Sequence, residues 1–237
     1  MSSIYLVRHG QAGPRHEYDA LSELGRRQAT LLGEHLVREG INFRAMYAGA
    51  LIRQQQTAEQ VRQAYIRAGF DAPEIVTEPC WNEFDLDQVY RDLAPPMCEA
   101  DPQFRAEYEE MRRQASDESS AVHRRWLPCD AAIVLAWIEG RHTCTGESWE
   151  QFRARVARGL EPLGRHQSGE AVAVFSSATP IAISIGNALG AANGRVMRLA
   201  GVMYNTAVST LRLRNGDSTL FAFNHAAHLP SDLRTFR

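Results

Sequence analysis

The residues best suited to chemistry stand close to the start of the chain. Ile4-Tyr5-Leu6-Val7 is an apolar, β-favouring run that ends abruptly in Arg8-His9-Gly10-Gln11. A strand buried in a parallel sheet reads as an unbroken apolar run, and ligands of such sheets sit just beyond the carboxyl ends of the strands. Arg8 and His9 therefore fall where a sheet of this kind does its work. A guanidinium beside an imidazole suits an anion: the first holds it, and the second supplies a lone pair or moves a proton. A strand that simply surfaces into a polar loop would read the same way, so the pair needs partners elsewhere in the chain.

Composition limits what those partners can be. All 26 basic side chains are arginine, and lysine is absent from the 237 residues. Schiff-base chemistry and a P-loop are thereby excluded, and anions must be held by guanidinium forks, whose planar geometry matches phosphate and carboxylate. A net charge of −2 supplies no basic field for nucleic acid or a membrane surface. No run of 18 apolar residues suggests a membrane span. The first strand begins so early that no signal peptide is expected. Cys80, Cys98, Cys129 and Cys144 are scattered without a C-x-x-C pair, which fits reduced thiols of a cytoplasmic protein. His142 and Cys144 have metal-ligand spacing but no second pair, so a structural role is expected and no metal is assigned.

The elements that must position Arg8 and His9 follow an α/β rhythm. After a polar loop over 14–21, Ser22 is a good N-cap, and Leu24, Gln28, Leu31, Leu32, His35 and Leu36 recur at helical spacing toward Gly40 as C-cap. A short strand at 46–48, a helix over about 51–68 and a strand at 74–77 complete a β-α-β-α-β series, which implies parallel strands with right-handed crossovers. From 79 to 145 no strand-like run appears, only Pro95-Pro96 and two helical patterns at roughly 102–114 and 121–138, the second broken near Pro128. We expect a helical cap inserted into a single domain of 1–237, with Trp126, Leu127, Val134, Leu135, Trp137 and Ile138 in its core. The rhythm resumes with a long helix from Gly146 to about Arg165 and a buried strand at 171–175. An apolar helix follows, with Thr179 as N-cap and Pro180 at its first position, so free N–H groups there would face the sheet's carboxyl edge as an anion site. Segments 206–213 and 219–223 flank Asn215-Gly216, a hairpin signal. The expected class is a three-layer α/β/α sandwich around a mostly parallel sheet.

Arg8-His9-Gly10 at the end of a first strand resembles the histidine phosphatase superfamily, which includes the cofactor-dependent phosphoglycerate mutases. Further motifs carry the resemblance in order along the chain: Leu21-Ser22-x-x-Gly25-x-x-Gln28-Ala29, Ala50-Leu51-x-Arg53-x-x-x-Thr57-Ala58, Trp81-Asn82-Glu83-Phe84-Asp85, Gly146-Glu147-Ser148 with Arg155, and Asn224-x-x-x-His228-Leu229. The resemblance implies that His9 is a nucleophile that becomes phosphorylated, that Arg8 and Arg53 clamp the phosphoryl oxygens with Gln11 as a further donor, and that Glu83 is the general acid. It also marks a departure. The family places a second histidine just after the fourth core strand, and this chain reads Ser176-Ser177-Ala178-Thr179, so Ser177 occupies that position. A serine hydroxyl donates one neutral hydrogen bond and brings no charge; with Ala178 it would complete the phosphate-binding set. His225 is a candidate substitute, while His228 fills the family's C-terminal position.

What the resemblance implies is a phosphomonoesterase that needs neither metal nor cofactor and acts on a small-molecule phosphate ester, with Ser177 as a reason for slow turnover. The alternatives are a catalytically weak or inactive phosphate-ester-binding regulatory protein of the same fold, motivated by Ser177, and, ranked below it, a phosphoglycerate-type mutase. No nucleic-acid or membrane partner is expected, and a homodimer is compatible with the composition.

Overall fold

The computed structural model describes residues 1–13, 19–117, 120, 122, 127–214 and 216–236. Trp126, Asn215, most of the loop expected over 14–21 and the start of the helical pattern at 121 lie outside the described residues. The chain divides into two compact units, one of residues 1–83 with 155–237 and one of residues 84–154.

The first unit is built on a six-stranded sheet: β1 (Ser2–Arg8), β2 (Phe43–Ala48), β3 (Ile75–Thr77), β4 (Ala171–Ser176), β5 (Val208–Arg214) and β6 (Asp217–His225). Their order is β3-β2-β4-β1-β5-β6. β1 pairs in parallel with β4, with Arg8 opposite Ser176, and antiparallel with β5. The first strands are therefore parallel, as the β-α-β-α-β pattern implies, and β5 and β6 add an antiparallel edge closed by the turn at Gly216, whose φ is +82°. Alternation along the strands sends Val7, Met46, Ala48, Ala173 and Phe175 to one face. There they meet Leu32 and Leu36 of α1 (Glu23–Arg38) and Ala58, Val61 and Tyr65 of α2 (Ile52–Arg67). On the other face, α7 (Ala178–Leu189) packs on β1 and β6 and is itself covered by α8 (Asn193–Gly201). An unbroken run from Thr179 to Gly186 is buried, as expected of a helix enclosed on all sides.

Local chemistry fixes where these helices start. Ser22 holds an extended backbone and its hydroxyl accepts from the N–H of Gly25, 3.0 Å away, so α1 begins at Glu23. Gly40, with φ +67°, follows Glu39 and ends α1. α7 starts one residue before the expected cap: Ser177, not Thr179, is the extended residue ahead of it, and Pro180 is the third helical residue. Pro180 costs nothing there, because the first four N–H groups of a helix have no intrahelical acceptor.

The second unit contains α3 (Leu86–Ala100), α4 (Pro102–Gln114), α5 (Pro128–Ile138) and the first residues of α6 (Trp149–Leu160). α3 was not legible, because Pro95-Pro96 reads as a break. Asp85 caps it by accepting from the N–H of Gln88, and burial of Val89, Leu93 and Ala94 beside α4 and α5 outweighs the hydrogen bonds the prolines remove. Val134, Trp137 and Ile138 are buried, whereas Leu135 faces outward at 41% exposure, because it lies on the opposite side of α5. Phe84, Trp137, Trp149 and Phe152 form an aromatic cluster with Phe84 stacked on Trp137 at 4.7 Å. α6 stops at Leu160 rather than near Arg165; Pro162 opens a separate 3₁₀ turn there. No helix among the described residues is long and apolar enough to cross a membrane.

Candidate active site

The site lies at the carboxyl ends of β1 and β4. His9 follows the last residue of β1, and its N–H donates to the carbonyl of Ser176, 2.8 Å away. On the other side its carbonyl accepts from the N–H of Thr206 at 3.3 Å and from Asn205 Nδ2 at 3.2 Å. The histidine is thus set by backbone on both flanks. The loop beyond it is drawn in as tightly. The Gly10 N–H donates to Thr57 Oγ1 (3.0 Å), and the Gln11 N–H to Gln28 Oε1 (2.9 Å). Glycine is needed twice here: a Cβ on Gly10 would lie 2.5 Å from the Gly25 carbonyl oxygen, and one on Gly25 only 2.0 Å from that of Gln11. The motifs around Gly10 and Gly25 are two backbones in contact.

The imidazole has a defined tautomer. His9 Nδ1 lies 2.7 Å from the Gly10 carbonyl, which can only accept, so Nδ1 carries the proton. Nε2 keeps its lone pair, and Arg53 Nε donates to it at 3.2 Å. Burial first, and then the Arg53 and Arg8 guanidiniums, hold the His9 pKa well below the usual histidine range. His9 is a neutral base whose lone pair meets Arg53, with Arg8 adding a second positive field.

Arg8 and Arg53 are both buried. Arg8 donates from Nη1 to the Met203 carbonyl. The 203 segment is held in turn by Asn224, which has φ +54°, accepts from the Tyr204 N–H at 2.8 Å and donates to the Val202 carbonyl at 2.7 Å. Arg53 also reaches Asp19 Oδ1 through Nη1 at 3.2 Å. Gln11 takes the Ser22 hydroxyl on its Oε1 at 3.0 Å, which leaves its NH₂ as the donating end.

Ser177 is buried one residue past the end of β4, and its hydroxyl accepts from Gln54 Nε2 at 2.8 Å. Gln54, next to Arg53 on α2, also donates to the Trp81 carbonyl at 3.1 Å. Glu83 Oε2 accepts from the N–H of Thr179 at 3.3 Å. The first turn of α7, expected as a phosphate cradle, therefore gives one of its N–H groups to Glu83. Ala178 opens α7, so its N–H has no acceptor within the helix. A chain of contacts thus joins His9, Arg53, Gln54, Ser177, Thr179 and Glu83.

His228 Nε2 lies 3.0 Å from Thr206 Oγ1, and its ring stacks on His35; the His225 ring is 6.0 Å from that of His35. Burial lowers the His228 pKa to about 3. Asn205, Thr206, Gln54 and the Met203 carbonyl carry no motif that marks them in the sequence. Each is brought in by folding from far along the chain.

The family profile of the histidine phosphatase superfamily (branch 1) matches residues 4–129 and 128–226. The chain belongs to that superfamily. It is 25% identical over 147 residues to "Serine/threonine-protein phosphatase Pgam5, mitochondrial" of Caenorhabditis elegans, a match covering 57% of this chain and 49% of the relative. The chain thus spans about half the length of that relative. Among solved structures, YhfR of Bacillus stearothermophilus superposes with a TM-score of 0.65 at 17% identity, covering 96% of this chain and 99% of that one. A phosphoserine phosphatase of Entamoeba histolytica, in complex with phosphoserine, gives 0.61 at 17% identity over 97% and 100%. These two likenesses are likenesses of fold.

Proposed function

We propose that the protein is a metal-independent phosphomonoesterase that works through phospho-His9 on small phosphate esters. The observation that carries this reading is the arrangement at His9: a neutral Nε2 lone pair, with Nδ1 anchored on the Gly10 carbonyl and two buried guanidiniums alongside. Phosphoryl transfer asks mostly for position and for positive charge on the equatorial oxygens. Arg8 and Arg53 supply that charge, which is the role a metal would otherwise take.

In the first step Nε2 attacks phosphorus, the bond from phosphorus to the ester oxygen breaks, and protonated Glu83 gives its proton to the departing alkoxide. In the second, water attacks the phosphohistidine, Glu83 takes the water's proton, and the N–P bond breaks, returning the lone pair to Nε2. The cycle nets one alcohol and one inorganic phosphate per water and splits one hard displacement into two. Holding the phosphoryl group requires Arg53 to give up its bonds to His9 and Asp19. Ser177, held by Gln54, offers its O–H to the phosphoryl group without charge, so turnover is slow.

A regulatory binding protein is the second reading, and Ser177 is what favours it. His9→Ala separates the two on a broad panel of phosphate esters. Loss of all hydrolysis relative to the parent supports the enzyme, and a parent without turnover that still binds phosphate esters supports the binding protein. The free, scattered cysteines support a cytoplasmic setting.

A further inference from the structure

One charged residue singled out by the sequence motifs has no part in the chemistry above: Arg155, on the last turns of α6. Its Nη1 lies 3.1 Å from the Pro79 carbonyl, 3.0 Å from that of Cys80 and 3.0 Å from that of Asn82. The remaining carbonyl of the segment, Trp81, accepts from Ser176 Oγ at 2.7 Å and from Gln54 Nε2 at 3.1 Å. All four carbonyls of 79–82 are therefore held by side chains, and the next residue is Glu83. The Asn82 side chain adds a further tie, its Oδ1 accepting from the Ala50 N–H at 2.6 Å.

Pro79–Trp81 is a 3₁₀ turn in which the Asn82 N–H also donates to the Pro79 carbonyl at 3.0 Å, so side-chain donors on all four carbonyls of 79–82 go beyond what so short a turn supplies for itself. Nη1 has two hydrogens for three acceptors, so the carbonyls share a cation rather than pairing one to one, and charge makes such bonds about twice as strong as neutral ones. α6 is shaped for this approach. Gly159 is one turn beyond Arg155 on the same face, and a Cβ there would lie 2.8 Å from Cys80 Sγ and 3.1 Å from the Trp81 ring. Trp81 is buried against that bare stretch of helix, which brings the loop within reach of the guanidinium.

We propose that Arg155 is a positioning residue for the general acid, aiming the Glu83 carboxyl at the leaving oxygen by fixing the carbonyls of 79–82. The proposal rests on the reading of Glu83 as that acid. Its consequence is specific. A misplaced acid harms esters whose leaving group must be protonated and spares those whose leaving group departs as a stable anion. An arginine that only stabilises the fold harms both alike.

The test is kcat/KM, which reports through phosphorylation of His9, for p-nitrophenyl, phenyl and simple alkyl phosphates. The enzymes are the parent, Glu83→Gln, Arg155→Met and Arg155→Lys. Glu83→Gln is expected to steepen the dependence on leaving group. Arg155→Met is expected to steepen it too, with a loss on alkyl phosphate exceeding the loss on p-nitrophenyl phosphate by a factor on the order of 10 to 10². Arg155→Lys, which keeps the charge, recovers part of the difference. A steeper Glu83→Gln with an Arg155→Met loss equal across all esters overturns the proposal alone. A Glu83→Gln dependence as shallow as the parent's overturns the reading of Glu83 and the proposal with it. Should Arg155→Met fail to fold, Gly159→Ala displaces the same loop without touching the guanidinium; the same steepening supports the proposal and a uniform loss overturns it.

Discussion

Ser177→His puts a second imidazole where the chain has a hydroxyl. The serine is 1% exposed, accepts from Gln54 Nε2 and stands one residue beyond the strand end that faces His9. A neutral hydrogen bond contributes about 1 kcal/mol net and a charge-assisted one about 1.5–3. Against charge that develops in a transition state, one donor reaches about 3–4 kcal/mol. Two features of the structure take back part of that gain. Arg8 and Arg53 already push the His9 pKa down, and the same guanidiniums oppose protonation of a neighbouring imidazole until the phosphate dianion arrives. The larger ring must also fit a filled position, where overpacking costs roughly 1–3 kcal/mol of stability. The net expectation is about 2 kcal/mol of added transition-state stabilisation, or roughly 30-fold in kcat/KM at about 1.4 kcal/mol per decade. The assay is steady-state hydrolysis of p-nitrophenyl phosphate, alongside thermal unfolding to confirm a folded variant. A folded Ser177→His protein no faster than the parent would show that missing charge at this position is not what limits the site.

Two further outcomes follow from the geometry. Asp19 sits on Arg53 Nη1 and is half exposed, so it competes with a phosphate for that guanidinium. Asp19→Asn is expected to lower KM and tighten inhibition by inorganic phosphate by about two- to fivefold, the scale of an exposed ion pair, and an unchanged inhibition constant would count against Arg53 as a phosphate ligand. Stability is expected to fall in acid. An unfolded histidine takes its proton near pH 6.5, whereas His228 in the fold is held at about 3 and His9 is held well below the usual range. Between those values the unfolded chain binds more protons, so each such histidine removes about 1.4 kcal/mol per pH unit as the pH drops, with no contribution above pH 7. Urea unfolding across pH 4–7 measures the slope, and His228→Gln should make it shallower; an unaltered slope would contradict the burial argument.

The sequence was most informative where chemistry and local structure coincide. The apolar run into Arg8-His9, the Ser22 cap of α1 and the α4 boundaries at Pro102 and Gln114 are local signals, and the structure has each. Arg53 is read from its motif as a partner of His9 and lies against it, whereas the bond from the Gly10 N–H to Thr57 of the same motif has no such reading. What could not be read has two causes. Packing overrode propensity in α3, whose paired prolines argue against a helix that neighbours nevertheless stabilise. Long-range hydrogen bonding supplied the rest. The Met203 carbonyl under Arg8 is backbone without a side-chain signature, and Asn205, Gln54 and Arg155 act on partners distant in sequence. That Gln54 holds the Ser177 hydroxyl was not legible either.

The central claim is that His9 Nε2 carries the phosphoryl group. Rapid quenching of the enzyme with a phosphodonor ester, followed by mass spectrometry of the peptide that contains His9, tests it directly. The account predicts one added phosphate on His9, lost in acid and retained in base, and absent from His9→Ala. Hydrolysis of the same ester without any phosphate appearing on His9, or with phosphate on another residue, would contradict it.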